Sequence, residues 1–143
     1  MSNTPYLYLT ISQMRELHEA VVEEFGGVAE SRSIGGLDSC VEAPQNVADL
    51  QDGDIFEQAS VYACSILRKM PFKDGNRRMA LVTALVFLEI NGLTDHDYDA
   101  AMLLQAILYL AEGKMDGDLF AQFLRDAVSG VARTWEDENS GAC

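Results

Sequence analysis

Residues 70 to 78 read Met70, Pro71, Phe72, Lys73, Asp74, Gly75, Asn76, Arg77, Arg78, and this run holds residue types that suit a phosphate. The four residues from Lys73 to Asn76 make a tight turn into the N-terminus of an apolar helix, where free backbone amides point outward with partial positive charge. Gly75 has no side chain to block close approach, and Arg77 and Arg78 supply guanidiniums whose fork matches phosphate oxygens. Two cations at a helix N-terminus oppose the macrodipole by about 0.3 to 1 kcal/mol each when exposed, a cost that a bound anion would offset. Asp74 has the opposite character: magnesium prefers one or two carboxylates together with phosphate oxygens. Plainer readings stand beside each of these. Asp74 or Asn76 can serve as an ordinary N-cap, Gly75 as an ordinary turn glycine, and the arginines as solvated charge.

The charge distribution gives the loop its contrast. The chain has 143 residues, a formal net charge of −13 and only ten lysines and arginines. Five of those ten (Arg68, Lys69, Lys73, Arg77 and Arg78) fall between residues 68 and 78, where Asp74 is the single acid. So acidic a chain repels nucleic acid and anionic membrane alike, so neither is expected as a partner. Cys40, Cys64 and Cys143 are widely spaced and odd in number, which argues against disulfides and a zinc site and for reduced thiols. No secretory leader and no apolar stretch of about 18 residues stands out, so a cytoplasmic protein is expected.

The elements that must position the loop are helical. A first helix starts near Thr10 or Ser12, with Gln13 completing a capping box from Thr10, and ends at Gly26 and Gly27. Met14, Leu17, Val21, Val22 and Phe25 form its apolar stripe. His18 lies beside that stripe, where packing or exposure is the ordinary role of a histidine. Residues 26 to 36 form an exposed, hairpin-like connection, and a short helix over 37–47 contains Pro44. A third helix carries Ile55, Ala59, Tyr62, Ala63, Ile66 and Met70 at threes and fours, so the spacing places Met70 in the core as one more turn of that stripe. Residues 76 to 91 form a central helix, apolar almost all round, closed by Asn91 and Gly92 as a left-handed cap. A fifth helix spans 98–112, and a sixth 119–128 with Asp118 as its cap. Residues 6 to 9 are a short extended piece, and the chain divides into one domain over 1–133 and an acidic, disordered tail over 134–143.

The loop resembles the signature of the Fic/Doc family, His-x-Phe-x-Asp/Asn-Gly/Ala-Asn, followed by Gly-Arg in Fic proteins and Lys-Arg in Doc toxins. Here Phe72, Asp74, Gly75, Asn76 and Arg78 match, and Arg77 puts a cation where Doc has lysine. The likeness continues in residues 10–14 with Leu17 and His18, in Arg32 to Ser39 with Pro44 and Gln45, and in Ala84 to Leu88 with Asn91 and Gly92, covering roughly residues 8 to 128. It implies an all-α, compact bundle of about six helices with a short flap near the N-terminal third. It also implies ATP with magnesium as the cofactor, and transfer of phosphate or nucleotide to a hydroxyl of a target protein such as elongation factor Tu. The resemblance further implies an antitoxin as binding partner. Position by position, it makes Asp74 the magnesium ligand, Lys73, Gly75, Asn76, Arg77 and Arg78 the nucleotide-binding residues, Phe72 the anchor under the loop, and Arg32, Ser33 and Gly35 the flap that aligns the target.

Two positions depart from the pattern. Met70 stands where the family has its histidine general base, and a thioether accepts no proton at a useful rate, a loss that typically costs about 10² to 10⁴ in rate. Neither His18 nor His96 is near the loop in sequence. Ser33 stands where the flap usually carries aspartate. The expected protein is therefore a Doc-like transferase impaired by Met70, or alternatively a pseudo-enzyme that binds an antitoxin or target without catalysis.

Overall fold

A computed structural model describes residues 6–32, 34–51, 53–93 and 100–128. Among them lie six helices and no strand: α1 (Ile11–Phe25), α2 (Ile34–Gln51), α3 (Ile55–Lys69), α4 (Asn76–Ile90), α5 (Ala100–Ala111) and α6 (Gly117–Val128). The all-α expectation holds. His96 and the acidic tail lie outside the described residues.

Helix starts follow local chemistry. Thr10 accepts from the Gln13 amide while the Gln13 side chain accepts from the Thr10 amide, closing the expected capping box. Asp54 and Glu57 repeat the device at α3, with both bonds 2.8 Å long. Asp54 also meets Arg125 of α6 at 2.7 Å, so one carboxylate caps α3 and tethers α6 to it. Asp54→Ala is expected to lower unfolding stability by about 1 kcal/mol, most of it from the lost cap, and urea denaturation reads the change. The cap of α6 is Asp116, which accepts from the Leu119 amide at 2.9 Å, rather than Asp118. Asp118 falls in the first turn instead, because α6 begins two residues earlier than the apolar pattern suggests.

α2 is longer than expected. It runs through Pro44, which is buried, because packing of the whole helix against α3 outweighs one lost backbone bond. At the end of α4, Asn91 has φ −101° and only Gly92, at φ 96°, is left-handed. The Asn91 side chain has another use: it accepts from the Leu7 amide and donates to the Leu7 and Phe87 carbonyls. That clamp, with bonds from the Leu9 amide to the Tyr62 hydroxyl and from Tyr8 to Gln58, seats residues 6 to 10 on the bundle without a sheet.

α3 and α4 together form the middle of the molecule: α3 packs on α2, α4, α5 and α6, and α4 on α1, α3 and α5. Tyr62, Ile66, Met79, Ala80, Ala84, Phe87 and Leu88 are buried between them and their neighbours. Burial pushes the Tyr62 hydroxyl up to about 12 and the Cys40 thiol up to about 11, so Cys40 stays a protonated, unreactive thiol at neutral pH. The α3–α4 connection at one end of this pair is the basic loop.

Candidate functional site

The loop begins with a reversal. α3 ends at Lys69, and Met70 takes φ 46° and ψ 62°, the left-handed conformation, with its N–H bonded to the Ile66 carbonyl at 2.8 Å. It is the sole non-glycine with positive φ among the described residues. That turn swings the side chain off the buried stripe of α3, leaving Met70 45% exposed. The core role that its spacing suggests is therefore wrong: i to i+4 periodicity holds only while the helix continues, and it stops one residue short. Left-handed backbone costs roughly 1 to 2 kcal/mol in an L-residue, and histidine adopts it several-fold more readily than most side chains.

Phe72 turns the other way and is 1% exposed. Its ring stacks on His18 of α1, with centroids 3.9 Å apart and planes 18° from parallel. Asn76 grips its backbone from the far side, the Phe72 amide donating to Oδ1 at 3.2 Å and Nδ2 donating to the Phe72 carbonyl at 2.8 Å. Phe72 is thus an anchor in fact. The Asn76 side chain is buried and committed to that grip, so what it presents outward is its backbone amide.

Gly75 precedes α4 at φ 79°, and no side chain caps this helix. The first-turn amides of Asn76, Arg77 and Arg78 have no intrahelical acceptor. Arg77 is exposed beside them, and the Arg78 guanidinium lies 3.8 Å from the centre of the Phe25 ring. A cation–π contact of this kind orients the guanidinium without using up its donors.

Asp74 stands at the rim. Its Oδ2 accepts from the Val28 amide at 2.8 Å, and the chain at Gly27 passes so close that a Cβ there would sit 3.0 Å from the Asp74 Cβ. Among the described residues no three or more histidines, cysteines or acids gather as a metal site. A lone exposed carboxylate beside uncapped amides fits magnesium shared with phosphate oxygens, and does not fit a cation held by protein alone.

The glycine-rich connection joins the loop from the other side. Ser31 and Phe72 form an isolated antiparallel bridge, the Arg32 amide donates to the Pro71 carbonyl at 2.6 Å, and the Lys73 amide to the Glu30 carbonyl at 2.9 Å. The Lys73 ammonium pairs with Glu30 at 2.8 Å, a hydrogen bond that raises its pKa above the ordinary value. Lys73 is thereby directed to the segment from Val28 to Arg32, which is the flap that meets the loop, whereas the resemblance puts the flap further on, at Arg32, Ser33 and Gly35. Arg32 is brought to the loop, Gly35 lies in the first turn of α2, and Ser33 falls outside the described residues. A cleft of about 230 Å³ opens beside the pairing, between Arg15 and Glu19 of α1 and Ala29 and Ser31 of the flap.

His18 is the residue that sequence reasoning undervalued. It is 2% exposed, and its Nε2 lies 2.7 Å from the Asp74 carbonyl, 56 positions away. Nothing in its own surroundings in sequence pointed to that partner.

Comparison with known proteins bears on the family of the chain. A profile of the Fic/DOC family matches residues 8–88. The chain is 28% identical over 119 residues to protein kinase doc of Escherichia phage P1, covering 82% of this chain and 93% of that protein. It is 35% identical over 82 residues to toxin Doc of Mycolicibacterium smegmatis, covering 54% of this chain and 63% of that one. With its helical bundle, its loop and more than half of its length matched, the chain belongs to the Fic/Doc family.

Proposed function

We propose that this protein is a Doc-like member of a toxin–antitoxin pair that binds ATP with magnesium at the N-terminus of α4 and is impaired in transfer by Met70. The observation that carries the reading is the uncapped α4 start, with Gly75 in the left-handed conformation, Arg77 exposed beside it and Asp74 at its rim. The other well-described helix starts satisfy their amides with Thr10, Asp54 or Asp116, whereas this one leaves them for an outside anion.

The division of labour follows from placement. First-turn amides and Arg77 hold phosphates, with Arg78 in reserve on Phe25. Asp74 provides the carboxylate for magnesium, which when bound neutralises phosphate charge. The flap from Val28 to Arg32, already paired with the loop, aligns a target-protein hydroxyl, and the cleft beside Ser31 receives neighbouring target side chains. Position 70 is exposed and directly precedes Pro71, whose carbonyl accepts from the Arg32 amide; the family resemblance puts the base at this position, and here it is a thioether. The doc kinase of phage P1 as a relative favours phosphate transfer over nucleotide transfer. An antitoxin is the expected protein partner, a translation factor the expected class of target, and the cytoplasm the expected compartment; none of the described helices is long and apolar enough to cross a membrane.

Met70 favours a second reading, a pseudo-enzyme that keeps the nucleotide and acts by engaging antitoxin or target alone. Both readings require nucleotide binding. In calorimetry the chain is expected to bind ATP only with magnesium, and Arg77→Ala to weaken that binding about tenfold, as loss of a charge-assisted phosphate contact implies. An unaltered chain that binds no ATP with magnesium present overturns the site.

A further inference from the structure

The Asp74–Gly75 peptide is the last unit before α4, and little in its own chemistry fixes which way it faces. Glycine adopts positive and negative φ with similar ease, so a flip of this peptide meets no side-chain barrier at Gly75. A Cβ there would find only Val21 and the His18 ring at 3.8 and 3.9 Å. The orientation is set from outside. The Asp74 carbonyl points inward to the buried His18, 2.7 Å from Nε2. A carbonyl can only accept, so Nε2 carries the proton. The peptide is planar and trans, so its N–H points opposite to its C=O. Drawing the carbonyl into the core therefore turns the Gly75 N–H away from the core.

We propose that His18 is a positioning residue, whose ring N–H holds the Asp74–Gly75 peptide in the orientation that adds the Gly75 amide to the phosphate-binding amides of α4. This rests on the nucleotide-binding reading given above. A flipped peptide would leave a buried ring donor without an acceptor and aim a carbonyl oxygen at the phosphate, so both ends of the bond favour one state. The same ring stacks on Phe72, so one side chain of α1 fixes the anchor and the orientation of the turn. Packing and orientation are separable by substitution. His18→Phe keeps a ring on Phe72 and removes the donor, while His18→Gln keeps a donor at similar reach and removes the ring.

The experiment measures magnesium–ATP affinity by calorimetry and the Gly75 amide signal by NMR without nucleotide, in the unaltered chain and both variants. His18→Phe is expected to weaken ATP about tenfold and to shift or broaden the Gly75 signal, while His18→Gln stays within about threefold, as a retained hydrogen bond implies. If His18→Phe matches the unaltered chain in both measurements, or if both variants weaken ATP equally, the positioning role is overturned. Should the unaltered chain bind no ATP, the nucleotide reading fails, and the Gly75 signal still decides whether His18 orients the peptide. If His18→Phe does not fold, His18→Leu takes its place against His18→Gln with the same deciding outcomes.

Discussion

Met70→His, incubated with labelled ATP, magnesium and a bacterial lysate, is expected to transfer label to protein about 10² to 10⁴ times faster than the unaltered chain, the span that a general base contributes. Three features support so large an effect from one residue. The position is exposed, so a base there can reach a substrate hydroxyl. The loop around it is already tied down by Phe72, Asn76 and His18, so no further repair is needed. The left-handed backbone at position 70 is one that histidine tolerates better than methionine, so the variant is expected to be at least as stable in urea as its parent. Label transfer by Met70→His alone would identify a transferase lacking only its base. Equal, negligible transfer by both chains would sink the impaired-enzyme reading and leave the binding module.

The second large effect concerns folding. Phe72→Ala is expected to lower unfolding stability by about 3 to 5 kcal/mol, the usual cost of emptying a buried phenylalanine site. For a domain of this size that corresponds to a fall in Tm on the order of 10 °C. Collapse around the vacancy is limited from both sides, because His18 is held by its bond to Asp74 and Asn76 is held by the backbone of residue 72 itself. Nucleotide affinity should fall in the same variant, since the loop that carries the amides loses its foothold. A stability change under about 1 kcal/mol would show that the ring is not the anchor that its burial implies.

The sequence by itself determined the local features. The capping box at Thr10, the helical stripes, the turn at Gly75 and the methionine at position 70 are all contained within a few residues, and they are readable because helix geometry couples i only to i+3 and i+4. Where that coupling is cut, the reading failed: the stripe of α3 extends to Met70 on paper, but the backbone leaves the helix at that residue and carries its side chain to the surface. Likewise the length of α2 through Pro44 depends on α3, which lies elsewhere in the chain, while the Asp116 cap is a local bond to the Leu119 amide that the apolar pattern does not mark. Only the tertiary structure could pair His18 with Asp74 across 56 positions, or Val28 with Asp74 across 46. Those bonds link three separate segments, α1, the flap and the loop, and no local periodicity encodes a partner that distant. The residue types of the loop are thus written in the sequence, while the contacts that hold it, to His18 of α1 and to the amide of Val28, are decided by the packing of distant segments.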